Sequence, residues 1–329
     1  PPTVGQGVVL FGAGAIFAFG RLSPRRLVLL GCSTALVLAG LECHLRDRES
    51  PHRGLRLTQL DVGQGDATLV DMPDGSLVLV DAGGAVFSGP DPGRRVLMPL
   101  LRARRRHAVD LAIVSHAHPD HYGGLEAIAE AMPIRELWHS GQAEDEGQPP
   151  SFLRLLARLR RQGTVIRRPR GLCGTPQRYG AAILETLHPC PAFRSWHEEN
   201  DNSLVVRMQY GAHVFLFAGD IERGGEHQLL RAQSAQRLRA DVLKVGHHGS
   251  NTSSSWAFLR AVRPSMGLIS MGRPSPFGHP HRAVLARLAK LGVNVRRTDL
   301  HGGTVLFSNG KRLSGYSARA PSFQVATRP

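Results

Sequence analysis

Ser115-His116-Ala117-His118-Pro119-Asp120-His121 follows directly on the apolar run Leu111–Val114. A short apolar run of this kind reads as a buried strand, so three imidazoles and one carboxylate sit on the loop at its end. In an extended loop alternate side chains share a side, which points His116 and His118 the same way. A turn at Pro119 lets Asp120 and His121 face a second spot nearby. Imidazole and carboxylate suit zinc, manganese or iron, and two adjacent subsites suggest a centre of two divalent ions. The competing reading is a His-rich surface loop.

Three other loops leave expected strands with residues of the same kind. Val80-Asp81-Ala82-Gly83-Gly84 ends one strand, Ala218-Gly219-Asp220 a second, and Val245-Gly246-His247-His248-Gly249-Ser250 a third. Their glycines let the backbone approach a site closely. Taken singly, Asp81 and Asp220 read equally well as turn or cap residues. A carboxylate or imidazole after a buried strand, repeated four times, favours one shared centre over the surface loop. His279-Pro280-His281 precedes an expected helix whose free N–H groups could receive a phosphate, although an ordinary capping loop explains it equally well.

Around these loops the texture is α/β. Leu55–Asp61, Ala67–Asp71 and Leu77–Asp81 read as a strand meander, broken by Gly-Gln-Gly and Pro-Asp-Gly. Val96–Arg106 and Gly124–Met132 read as helices, and Ser151 caps an amphipathic helix with Arg154, Arg158 and Arg161 on its polar face. A second half repeats the pattern, with strands at Ile183–Leu187, Ser203–Tyr210, Val214–Ala218, Asp241–Val245 and Gly267–Met271. Helices are expected at Glu222–Gln236, Trp256–Val262 and Arg282–Leu291, and last strands at Val293–Arg297 and Thr304–Phe307. Strands grouped in each half predict two sheets face to face between helical layers.

The 329 residues carry a net charge of +15, and lysine occurs only at Lys244, Lys290 and Lys311. An excess built on arginine favours phosphate partners, though a genomic codon bias produces the same composition. Val4–Gly20 and Leu27–Leu41 are apolar runs separated by Arg21, Arg25 and Arg26. Together they predict a membrane hairpin whose basic turn stays in the cytoplasm, placing the chain beyond Leu41 outside. A signal sequence over Arg25–Leu41 and a soluble hairpin are the rival readings. The expected organisation is a hairpin at 1–45, a linker at 46–54, one domain at 55–316 and a flexible tail at 317–329. The chain opens at Pro1 with no Met, and so reads as part of something longer. Cys173 and Cys190 could pair if the domain is exported, and no cysteine spacing suits zinc.

The order Asp81, His116-x-His118-x-Asp120-His121, Asp220, His247/His248 resembles the metallo-β-lactamase superfamily. More narrowly, Asp61-Val-Gly-Gln-Gly-Asp66, Asn200-Asp201-Asn202-Ser203-Leu204, Phe217-Ala-Gly-Asp220 and Leu243-Lys-Val-Gly-His-His-Gly-Ser250 resemble the C-terminal domain of the ComEC family, membrane channels for DNA uptake in competence. The resemblance spans about residues 55–310. It implies an αββα sandwich, two zinc or manganese ions, and the membrane, DNA and other uptake proteins as partners. It implies His116 and His118 on one metal, Asp120 and His121 on the other, and Asp220 bridging. One of His247 and His248 would complete the second site, taken here as His247. Its neighbour His248 would then join Asp120 and Asp220 in catalysis by facing the phosphate. Asp81, Asn200, Asn202 and His279 would support ligands or substrate from behind. A histidine is usual where Asn200 and Asn202 stand, so the His116/His118 metal should bind more weakly, prefer manganese, or recruit His188 or His197, which otherwise read as structural. The implied activity is a metal-dependent nuclease acting during uptake. The alternatives are hydrolysis of a lactone, thioester or cell-wall phosphoester, and a non-catalytic DNA-guiding module.

Overall fold

The computed structural model describes residues 3–20, 22–84, 91–147, 149–194, 198–273, 275 and 277–325. Two apolar helices open the chain, α1 (Val4–Phe19) and α2 (Pro24–Glu49), and they pack on each other. Only α2, among the described residues, is long and apolar enough to cross a membrane. The linker expected from residue 46 is helical as far as Glu49. Glu42 bonds Arg46 one turn on at 3.1 Å, which carries the helix past its apolar stretch. The same carboxylate meets Arg105 of the following domain at 2.9 Å and so anchors the hairpin to it.

From Leu55 the chain lays down β1 (Leu55–Gln59), β2 (Ala67–Asp71), β3 (Leu77–Ala82), β4 (Val109–Val114), β5 (Ile134–His139) and β6 (Val165–Arg167). It then crosses to a second sheet, with β7 (Gln177–Tyr179), β8 (Ala182–His188), β9 (Val205–Tyr210), β10 (His213–Phe217), β11 (Val242–Lys244), β12 (Met266–Ile269) and β13 (Asn294–Arg297). Finally β14 (Thr304–Ser308), β15 (Leu313–Ser317) and β16 (Ala320–Gln324) return to the first. The sheet orders are β16-β15-β14-β1-β2-β3-β4-β5-β6 and β13-β12-β11-β10-β9-β8-β7. Both sheets begin as antiparallel meanders and turn parallel, from β3 to β6 and from β10 to β13. Parallel strands need crossover helices, and these cover the outer faces.

The strands and helices enclose three apolar layers. Leu57, Val78, Ile113 and Trp138 face Leu184, Met208, Phe215 and Phe217 between the sheets. Outside the first sheet lie Leu101, Ile128, Leu155 and Leu159 of its helices. Outside the second lie Leu229, Phe258, Leu259, Val284 and Leu288. The architecture is the expected αββα sandwich behind an apolar hairpin.

Two sequence readings are corrected. Ile134–His139 forms a central strand that the sequence did not announce, because Arg135 and Glu136 interrupt its apolar pattern. Residues 320–324, expected in a flexible tail, form edge strand β16 on β15, with the Arg296 guanidinium over the Phe323 ring at 4.3 Å. Cys173 and Cys190, left open by sequence, form a disulfide.

Candidate metal centre

Parallel neighbours end on the same side, so the loops after β3 and β4, and those after β10 and β11, open on one rim. There the two sheets meet: His121 Nε2 from the first lies 3.3 Å from Asp220 Oδ2 of the second. His118 caps the short helix Pro119–Tyr122, which turns Asp120 and His121 back toward the cluster. Glycine makes this approach possible. A Cβ at Gly84 would lie 1.8 Å from the Pro119 carbonyl oxygen, and one at Gly65 would lie 2.4 Å from that of Asp120.

Asp81 holds the histidine loop from behind. Its Oδ1 accepts the Ser115 N–H at 2.8 Å and its Oδ2 lies 2.9 Å from His121 Nδ1. That contact turns the other ring nitrogen, Nε2, into the cluster. Asp81 does so with a left-handed backbone, φ 53°, a conformation that costs about 1–3 kcal/mol and persists only where its surroundings enforce it. His248 Nδ1 donates to the Ser270 carbonyl at 2.9 Å, leaving its Nε2 3.4 Å from Asp120 Oδ2 and 3.5 Å from Asp220 Oδ2. His116 is buried, with its Nε2 2.9 Å from His118 Nδ1.

Among the described residues four groups gather ligand atoms within 4.8 Å of one another: His116, His121 and Asp220; Asp120, His121 and His248; Asp66, Asp81 and His121; Asp66, Asp220 and His248. Among the described residues no hydrogen-bond partner reaches His121 Nε2, His248 Nε2 or Asp220 Oδ1, although all three are buried. Leaving such atoms unpaired costs about 1–3 kcal/mol each, and a divalent cation would satisfy them. The donor set therefore fits the metal that the fold implies. Burial would raise the Asp220 carboxyl, yet the His121 and His248 imidazoles hold it well below the usual range. Burial opposes charge on His248, while Asp220 and Asp66 push it up to about 10. Carboxylates kept ionised beside imidazoles make a ready cation site.

The adjacent histidines have different surroundings. His247 turns out of the cluster, with its Nδ1 2.8 Å from Glu222 Oε1, whereas His248 is buried among the carboxylates. Both stand in left-handed backbone, φ 47° and 50°, in a tight turn after β11. Asn202 is spent on the loop beside it: its Oδ1 accepts the Arg194 N–H and its Nδ2 donates to the Arg194 and Glu198 carbonyls. Asn200 Nδ2 donates to Glu222. His188 Nε2 donates to the Asp201 carbonyl at 2.7 Å, and His197 lies outside the described residues. His281 caps its own helix, its Nδ1 accepting the Ala283 N–H at 3.2 Å, so the phosphate cradle suggested there is already filled. His279 lies beside His247, ring centres 5.5 Å apart.

Sequence reasoning passed over four residues. Asp66 is buried between Lys244 Nζ at 2.6 Å and His248 Nδ1 at 3.5 Å. Glu199 pairs with His118, and Glu222 holds His247. Asp66 and Lys244 stood inside the ComEC-like motifs, but neither was singled out there.

The family profile described as Metallo-beta-lactamase superfamily matches residues 60–273. Over 80% of its length the chain is 30% identical to ComE operon protein 3 of Bacillus subtilis (strain 168), covering 34% of that protein. It is 31% identical over 85% of its length to Competence protein ComA of Neisseria gonorrhoeae, covering 36% of it. The chain thus spans about a third of the length of these curated relatives. Among solved structures, unliganded yeast PDE1 is similar at 11% identity and a TM-score of 0.46, over 78% of this chain and 99% of that one. The chain belongs to the metallo-beta-lactamase superfamily, and the resemblance to the competence family is borne out by its relatives. Membership supports a metal-dependent hydrolase, and the fold implies a divalent metal.

Proposed function

We propose that this superfamily member is a two-ion phosphodiesterase that cleaves DNA at the outer face of a membrane, as part of a DNA-uptake channel that works with other uptake proteins. The carrying observation is the buried convergence of His116, His121, His248, Asp120 and Asp220 with three ligand atoms unpaired. In this reading His116, His118 and Asp220 hold one ion. Asp120, His121 and His248 hold the other with Asp220 between them, so His248 takes the place expected of His247. Divalent ions held there would polarise the phosphoryl oxygen and acidify a water.

The chain's own residues set that chemistry up. Asp81 fixes the His121 tautomer, and Glu199 steers His118. Burial disfavours charge on His247, but Glu222 and Asp220 raise its pKa, which favours its acting as a donor to phosphate at the mouth. DNA as substrate is supported by the competence relatives and by the arginine-based net charge of +15. The outer side is supported by the Cys173–Cys190 disulfide, since such bonds persist in oxidising compartments. Membrane attachment is supported by α2.

The test is cleavage of end-labelled DNA by the full chain in detergent, with zinc or manganese and then with chelator. Metal-dependent cleavage lost in Asp220→Ala is the expected result. Turnover of lactone, thioester or small phosphoester without DNA cleavage would transfer the site to those substrates. DNA binding with no turnover of anything would make the domain a guiding module.

A further inference from the structure

Strands β3, β4 and β5 run parallel, so their first residues lie together at the edge of the sheet opposite the metal rim. Each has six residues, which separates the two edges by about 20 Å. At that far edge a cavity of about 470 Å³ opens between the end of α2 and the domain. Arg46 and Ser50 line it from the end of α2, Arg104, Arg105 and Arg106 from the turn before β4, and Arg135 from the start of β5. Its volume lies within the range of small-molecule sites, about 300–1,000 Å³.

Positive charge is in excess there. Asp71, buried at the end of β2, takes three guanidiniums: Arg104 Nη1 at 2.6 Å, Arg106 Nη2 at 2.7 Å and Arg56 Nε at 3.0 Å. On the opposite wall the carboxylate of Glu42 meets both Arg46 and Arg105. Asp110 is paired with Arg135 at 3.3 Å, and Asp74 accepts the Ser76 hydroxyl. Burial first, then Arg56 and Arg106, lower the Arg104 pKa against the support of Asp71. Surplus charge withdrawn from water in this way is stabilised by a further anion. The helix beside the cavity indicates the kind of anion. No residue of α2 is buried in the protein, and its apolar side chains Val28, Leu29 and Leu36 are more than half exposed. The cavity therefore sits at the foot of an apolar helix, where a bilayer presents its headgroups.

Resting on α2 as a membrane span, we propose that this cavity binds the phosphodiester headgroup of an anionic phospholipid and seats the domain on the bilayer with its metal rim turned away. The guanidinium fork matches phosphate oxygens, and basic residues beside membrane helices draw anionic headgroups. A DNA phosphate held here would lie about 20 Å from the metal cluster, at the wrong edge of the sheet for cleavage. Anchoring and chemistry are thereby assigned to opposite ends of the same three strands.

The test is native mass spectrometry of the full chain in detergent, supplied with equal amounts of phosphatidylglycerol and phosphatidylcholine. One phosphatidylglycerol should stay bound per chain, in preference to phosphatidylcholine. Arg46→Gln with Arg135→Gln removes two exposed guanidiniums and spares the buried group around Asp71, and an unchanged unfolding midpoint shows that the variant has folded. A charged contact to phosphate corresponds to roughly a tenfold change in affinity. The double variant should lose phosphatidylglycerol by at least about that factor, while Arg46→Lys with Arg135→Lys keeps most of it. If the double glutamine variant does not fold, Arg135→Gln alone is read for the same loss. Equal retention of the two lipids by the wild type, or undiminished phosphatidylglycerol in the folded glutamine variant, overturns the site. Displacement of the lipid by an equal concentration of inorganic phosphate makes it a free-anion site, and displacement by oligothymidylate makes it a nucleic-acid path; either overturns the proposal. Flotation with phosphatidylcholine vesicles in high salt tests the span separately. A chain that floats but shows no lipid preference loses only the headgroup site, and one that does not float loses the span and the site together.

Discussion

Asn202 shows how far a residue's type can mislead about its task. An amide where the family resemblance implies imidazole suggests a weakened metal ligand, but its side chain bonds the backbone of Arg194 and Glu198. Asn202→His should therefore fail to tighten zinc binding and should destabilise the domain by about 1–3 kcal/mol, because a buried loop loses its partners. Zinc titration and denaturant unfolding of the same variant check both halves; a tighter metal step would return the residue to the ligand shell. His247 and His248 teach the same lesson. Adjacent imidazoles are equivalent in a sequence, and only the paired left-handed residues of the turn decide which ring is buried. Asp66 was not singled out because its partner Lys244 belongs to the opposite sheet. What was legible was the single cluster at 115–121, where all the chemistry is local.

At the scale of elements, the strand-end positions of Asp81, Asp220 and the His247/His248 pair followed from apolar runs, since a buried strand and the polar loop after it are both local patterns. Ile134–His139 escaped because its burial comes from neighbours on both sides rather than from its own pattern. The helix starting at Trp256 depends on a distant acid. Glu226 is buried and accepts the N–H groups of Ser254 and Ser255 at that helix's start. Burial is the main influence on this carboxyl and raises it from 4.5 to about 7, against the lowering effect of those bonds. The folded state thus binds its proton more readily than the unfolded chain does. Its contribution is complete below pH 4.5 and is lost as pH rises to about 7. Relative to Glu226→Gln, the wild type should lose roughly 3 kcal/mol of unfolding free energy across that window and then run parallel; a difference constant with pH would show that the proton is not involved. The helix Pro150–Arg161 buries Leu155, Leu156 and Leu159 on the first sheet. Arg154, Arg158 and Arg161 face solvent beside Glu126 and Glu130. Removing all three should change the salt slope of DNA binding by less than about one, where loss of three phosphate contacts would change it by nearly three.

For the whole molecule, two sheets that share no strand each supply half of one cluster, so the centre exists only when the sandwich has closed. His121 and Asp120 come from one side, and Asp220 and His248 from the other. Metal binding and sheet packing should accordingly be coupled, and the unpaired atoms at the rim should be satisfied together. The most direct measurement is calorimetric titration of zinc into the metal-stripped full chain in detergent, alongside Asp220→Ala. The account predicts two equivalents bound in two steps of unequal affinity, with DNA cleavage appearing at the second and the steps collapsing in Asp220→Ala. Absence of zinc binding, or two steps that survive unchanged in a folded Asp220→Ala protein, would contradict it.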